Sequence, residues 1–289
     1  ILQNLQNYLE RLEKYLKNFH KQKLRDYMLT PLIKKSLPPL LVLFFVMGIH
    51  YFITYEVLDP TRRFLLPPPH SIIYEGFFIP KHRDEILRGL FLTTRVSFIG
   101  LGIAFLIGFS TALLMSQAKW IERSLYPWAV FTQTVPILAL VPIIGFWFGF
   151  DMLARIIVVV IISIFPIIIN TLTGLNGASK NLHDLLTLHN ASRWTRATKL
   201  MIPYALPDMF TGLRTSAGLA IIGSIVGDFF FGRGSPGLGM LLKVYGSRLR
   251  TEELLSSTFV ACLLGVTVFW SFSYLGRKLV GHWSESWSA

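Results

Sequence analysis

The sequence predicts an all-α, polytopic membrane protein with about six transmembrane helices, and three observations carry that expectation. The 289 residues are 52% hydrophobic and only 15% charged, where soluble domains run at about 45–50% and about 25%. Mean hydropathy is +0.52. Six stretches reach the length of about 20 mostly apolar residues with which a helix crosses roughly 30 Å of hydrocarbon, and the alternation of barrel strands is absent.

Taken in order, residues 1–35 precede the first span. Leu2, Leu5, Leu9, Leu12, Leu16 and Phe19 recur at intervals of three and four, with Lys and Arg opposite. That spacing predicts an amphipathic helix lying on the inner leaflet or packing along a neighbouring subunit. It is too short for a coiled coil and lacks the cleavage site of a secretory signal. The spans follow at 37–58, 96–115, 124–150, 156–175, 209–232 and 254–276. Those at 96–115, 124–150, 156–175 and 254–276 carry no Asp, Glu, Lys or Arg, the mark of a spanning helix. Between the first two, Pro67, Pro68 and Pro69 hold the chain extended, and His70 or Ser71 is placed to cap a short surface helix. Residues 282–289 form a tail.

Polar groups inside the spans are the candidate path. Pro136 and Pro142 interrupt the third span at mid-membrane, where freed backbone groups need protein or a water-filled cavity. Gln133, Thr134 and Pro136 are therefore candidate lining residues, with a proline-kinked packing helix as the other reading. Asn170 and Ser224 are candidates of the same kind, or interhelical hydrogen bonds. The candidate ionisable residues within spans are His50, Arg214 and Asp228, and Asp228 suits either a path or a structural partnership.

Charge and composition exclude several functions. The net charge of +12 suits nucleic acid in a soluble protein, but Lys and Arg of a polytopic chain gather in loops and at anionic lipid. The larger part of the 28 Lys and Arg falls on the side shared by both termini, which places the termini in the cytoplasm. The single Cys262 makes no intrachain disulfide, and neither C-x-x-C pairs nor His and Cys clusters suggest a metal site. The chain lacks H-E-x-x-H, G-x-S-x-G and G-x-x-x-x-G-K-[ST] motifs, so an enzyme is not expected and no cofactor is called for in the chain itself. A transporter built from it takes its energy from an ion gradient or from another subunit.

The most informative stretch is predicted to be cytoplasmic. Residues 184–207 read as a short helix through Asp184, Leu185 and Leu186 to Leu188, then a break at His189 and Asn190. A second helix starts at Ser192, its N-cap, and runs through Arg193 and Trp194 to Leu200. Asn190 enters the left-handed region at low cost, as a sharp turn demands. The other reading is a basic loop touching lipid headgroups.

At this stretch the chain resembles the permease subunits of bacterial ATP-binding-cassette importers, type I, whose cytoplasmic signature is E-A-A, three residues, Gly, nine residues and I-x-L-P. Asp184-Leu185-Leu186, Asn190 and Leu200-Met201-Ile202-Pro203 keep that spacing and depart in identity at the acid, both alanines and the glycine. TVPILALVPIIGFWFGF, NASRWTRATKLMIPYALPDMFTGLR, GLGMLL and LLPPPHSIIYEGF are similar to the branch serving sulfonate, taurine, nitrate, bicarbonate and vitamin precursors, over about 36–281. The resemblance implies a permease domain over 36–281 with a coupling segment at 176–207. The coupling residues would be Asp184, Leu185, Leu186, Asn190, Ala191, Ser192, Arg193, Trp194 and Pro203. It further implies two cytoplasmic ATPase subunits holding ATP and Mg, a second permease copy or a similar permease, an extracytoplasmic binding protein, and the bacterial inner membrane. The alternative is a stand-alone secondary transporter or channel with Asp228 in its ion path.

Overall fold

The computed structural model describes residues 37–231, 234–283 and 287. The predicted amphipathic helix at 1–35 lies outside the described residues. These are helical, with no strand among them, and the chain divides into two compact units, 1–69 and 70–289.

In the first unit, α1 (Leu37–Val57) is long and apolar enough to cross a membrane and ends in a wide π turn at Ile53–Val57. Thr54, fully buried, donates to the carbonyls of His50 and Leu66 at 2.9 and 3.0 Å. His50 Nε2 lies 2.9 Å from the Pro67 carbonyl, which only accepts, so that nitrogen carries the hydrogen. His50 therefore fastens the proline connector to the end of α1.

α2 (Pro69–Ile73) starts at the last residue of the first unit and leads into the second, where a π turn at Tyr74–Phe78 follows. Its bundle is built from α3 (Pro80–Gln117), α6 (Met152–Asn176), α9 (Ile202–Phe230) and α11 (Thr251–Val280). Helices α6 and α9 run antiparallel at the centre and meet through small residues. A Cβ added at Gly212 would lie 2.7 Å from the Pro166 carbonyl, and one at Gly223 would lie 3.0 Å from Val159 Cα. Without that room the backbones could not approach, and inside a bilayer close packing replaces the hydrophobic drive between helices. Ser216 Oγ donates to the Ser163 carbonyl at 2.6 Å and pins the register.

Two predicted spans differ from the structure. The stretch 124–150 is not one rod. It is α4 (Lys119–Thr134) and α5 (Ile137–Phe148), bent by 98°. Val135 is extended, at φ −62° and ψ 128°, because a residue before proline is kept from the helical region. Among the described residues five helices are thus long and apolar enough to span, and a sixth only if the bent pair counts as one. The span predicted at 209–232 falls, as far as Phe230, within a longer helix. α8 (Arg193–Arg196) continues through a π turn at Ala197–Met201 into α9, making a 38-residue rod, Arg193–Phe230.

Between α6 and α8 lies α7 (Lys180–Leu188), and α10 (Leu238–Ser247) precedes α11. The tail expected at 282–289 holds a packed residue. Trp287 is buried, its indole N–H donates to the Pro207 carbonyl at 3.1 Å, and its ring covers Gly276. The Arg214 guanidinium lies 5.0 Å from the Trp287 ring and 5.1 Å from that of Phe269, so this cation within a span is sandwiched between π faces.

Candidate functional site

The turn between α7 and α8 is a closed local structure. Asn190 takes φ 49°. The Ala191 N–H donates to the Leu186 carbonyl at 2.9 Å and the Asn190 N–H to that of Thr187 at 3.0 Å, the paired bonds of a Schellman ending. Ser192 Oγ then accepts from the Thr195 N–H at 3.1 Å and caps the next helix. Arg196 crosses back to donate to Thr187 Oγ1 at 3.1 Å. Two short helices are thereby fixed against each other by local bonds.

This knob presents apolar surface. Leu188 is 81% and Trp194 72% exposed, with Leu182 and Leu185 exposed beside them. Asp184, Asn190, Ser192, Arg193 and Pro203 are also exposed, while Leu186 and Ala191 are half-buried. Beneath it a cavity of about 660 Å³ is lined by Lys119, Lys180, Arg193 and Arg196. The first helix begins at Lys180, four residues before the sequence suggested.

The candidate path residues do not form one group. Gln133, Thr134 and Pro136 stand exposed at the α4–α5 break. Asn170 is half-buried and donates to the Pro166 carbonyl at 2.8 Å. Ser224 is buried against Ser97, Oγ to Oγ 2.7 Å.

Asp228 is closed off altogether. It is 2% exposed, its Oδ1 lies 3.0 Å from a guanidinium nitrogen of the equally buried Arg155, and its Oδ2 accepts from the Met240 N–H at 2.7 Å. Arg155 also donates to the carbonyls of Phe231 at 2.9 Å and Ser235 at 3.2 Å. Thr93 Oγ1 accepts the Leu238 N–H at 2.9 Å. Asp228 therefore joins the start of α10 to α6 and α9. Within the chain both side chains are engaged in packing, which fits the structural partnership expected as one reading of Asp228 and the interhelical hydrogen bond expected as one reading of Ser224. Arg155 itself was missed. It reads as a loop charge, because it precedes the uncharged run 156–175, and nothing in the spacing pairs it with a distant acid.

A second polar cluster is equally invisible in sequence. Glu75, His82 and Glu253 bring ligand atoms within 4.8 Å of one another, a spacing that could hold a metal ion. Arg250, however, donates to Glu253 and reaches His82 Nε2 at 2.7 Å. Because arginine only donates, Nε2 accepts and Nδ1 carries the hydrogen, 3.2 Å from the Glu75 carbonyl. The guanidinium fills the place of a cation and ties α3 to α11.

Comparison with known proteins bears on this geometry. The family described as binding-protein-dependent transport system inner membrane component matches residues 104–281. The chain is 28% identical over 243 residues to the formylaminopyrimidine transport permease protein ThiX of Halalkalibacterium halodurans, covering 78% of this chain and 96% of that one. It is 27% identical over 258 residues to the bicarbonate transport system permease protein CmpB of a Synechocystis, covering 84% and 88%. It is also 27% identical over 228 residues to the putative aliphatic sulfonates transport permease protein SsuC of Bacillus subtilis, covering 77% and 79%. Among solved structures, an inward-facing conformation of the MetNI methionine ABC transporter superposes with a TM-score of 0.61 at 15% identity, over 69% of this chain and 98% of that one.

Proposed function

Since the chain belongs to the family of binding-protein-dependent transport system inner membrane components, a permease subunit of an ABC importer, we propose that it couples to ATPase subunits through the α7–α8 knob. In this reading two ATPases, which hold the ATP and Mg, receive the exposed Leu185, Leu188 and Trp194 in a groove. A second permease completes the passage, and an extracytoplasmic binding protein delivers a small solute. Both termini and the knob face the cytoplasm. The proposed cargo is a small solute, an anion such as bicarbonate or a sulfonate or else a vitamin precursor, a reading supported by relatives named for formylaminopyrimidine, bicarbonate and aliphatic sulfonates and by the basic end away from the knob.

The observation that carries the reading is an exposed apolar knob prefixed by its own hydrogen bonds. Such a surface is unfavourable in water unless a partner covers it, and its rigidity lets a partner's movement reach α9. The stand-alone transporter loses its principal support with Asp228 sealed in an ion pair. Uptake into proteoliposomes tests the proposal. The chain alone should give no gradient-driven flux. With ATPase and binding protein, Asn190→Pro or Arg193→Glu should insert normally while ATP hydrolysis proceeds without uptake. Flux by the lone chain, or unaltered uptake by both variants, would overturn it.

A further inference from the structure

The richest unused chemistry lies at the far end of α9, where Asp228 stands about 40 Å along the helix from Ile202. There a cleft of about 720 Å³ opens between α3 and the Ser235–Pro236 corner, with Arg88, Phe91 and Arg95 on its α3 wall. These three stand at i, i+3 and i+7, a single helix face. The two arginines, set about 10 Å apart along the axis, therefore flank a phenylalanine ring that is 71% exposed.

The cationic charge is not used up within the chain. Arg95 has no hydrogen-bond or ion-pair partner among the described residues, although it borders the uncharged run that follows it in α3. Arg88 commits its Nε to the Asp84 carbonyl at 3.2 Å. The one carboxylate of the lining, Glu85, accepts the Tyr245 hydroxyl at 2.7 Å, and Asp84 pairs with Arg83. Burial, then that bond to Glu85, pushes the Tyr245 phenol up, so the hydroxyl stays a donor. The opposite wall is held still, because the Ser235 carbonyl accepts from Arg155 and Leu238 is fastened to Thr93 of α3 itself.

We propose that this cleft binds an oxyanion carried on an apolar body, with Arg88 and Arg95 holding the charge and Phe91 the hydrocarbon. Guanidinium groups suit sulfonate, carboxylate and phosphate oxygens, and an unpaired arginine at the rim of a span marks a functional position. A short-chain sulfonate or carboxylate solute and an anionic phospholipid share this chemistry. The solute case rests on the importer reading, for which the cleft lies on the extracytoplasmic side.

The test uses the full chain in nanodiscs and no ATP. In phosphatidylcholine discs, ligand-observed NMR should show saturable binding of butanesulfonate and none of butanol. Arg88→Gln or Arg95→Gln should weaken it about tenfold, Phe91→Ala several-fold, and Arg95→Lys less than Arg95→Gln. In discs containing phosphatidylglycerol, native mass spectrometry reads retained lipid. Lipid lost in the Arg88→Gln, Arg95→Gln double variant, together with butanesulfonate displaced by phosphatidylglycerol, assigns the site to the headgroup. Melting temperature verifies that each variant folds. Sulfonate binding and lipid retention both equal to wild type in the folded double variant would overturn the proposal. A failure here leaves ATP-driven uptake untouched, and a failure of uptake leaves this binding untouched.

Discussion

At the scale of single residues, the structure separates polar side chains that hold the fold from those that remain available. Asp228 and Arg155 are both nearly sealed from solvent and 3.0 Å apart. Removing one partner leaves a buried charge uncompensated, at a cost of about 3–5 kcal/mol. Asp228→Ala should therefore lower the melting temperature and folded yield in detergent, and Arg155→Ala should do the same. A double variant no worse than either single one would show the coupling, whereas an acid lining a passage would leave stability intact. Asn190 behaves differently, because its side chain is exposed and its backbone is what matters. Asn190→Gly should stay within about 0.5 kcal/mol and keep uptake, while Asn190→Val should cost about 1–2 kcal/mol for the left-handed conformation. The Asn190 turn was legible because a single residue's conformational preference decides it. The role of Asp228 was not, since it depends on an arginine brought near only by folding.

At the scale of elements, α6 and α9 owe their contact to what their side chains lack. Gly212→Ala would place a methyl 2.7 Å from the Pro166 carbonyl, and overpacking of this kind costs about 1–3 kcal/mol. Gly102, in α3, has nothing within 4 Å of an added Cβ, so Gly102→Ala should be neutral or stabilising by up to about 1 kcal/mol. Thermal unfolding of the two variants side by side checks the contrast. The spans were readable because hydropathy and length define a crossing helix. Their ends were less so, since α9 begins well before its apolar part. The break before Pro136 was foreseen from proline chemistry, but the 98° bend depends on packing that a one-dimensional pattern does not contain.

At the scale of the whole molecule, the importer reading fixes an orientation that labelling can check. In a Cys262→Ser background, Leu188→Cys should react with a membrane-impermeant maleimide only in inverted vesicles. Ser235→Cys, at an exposed position, should react only from the other side. Labelling of Leu188→Cys in intact cells would reverse the topology. Much of the overall plan was present in the order of apolar runs and in the spacing from Asp184 to Pro203. The burial of Trp287 was not, because eight terminal residues show no periodicity from which a packed position could be inferred.

The helix from Arg193 to Phe230 has a consequence for leakage. Its near end is the capped knob, its middle is wedged into α6, and its far end anchors the corner beside Arg95. The π turn at Ala197–Met201 is its widest point, and no extended residue interrupts it. A stiff shaft seated at mid-length behaves as a seesaw, so tilt that narrows one mouth of a passage along it widens the other. In the importer reading proposed above, the two mouths would be phased against each other by this geometry, and a pore open to both sides at once would require the shaft to bend.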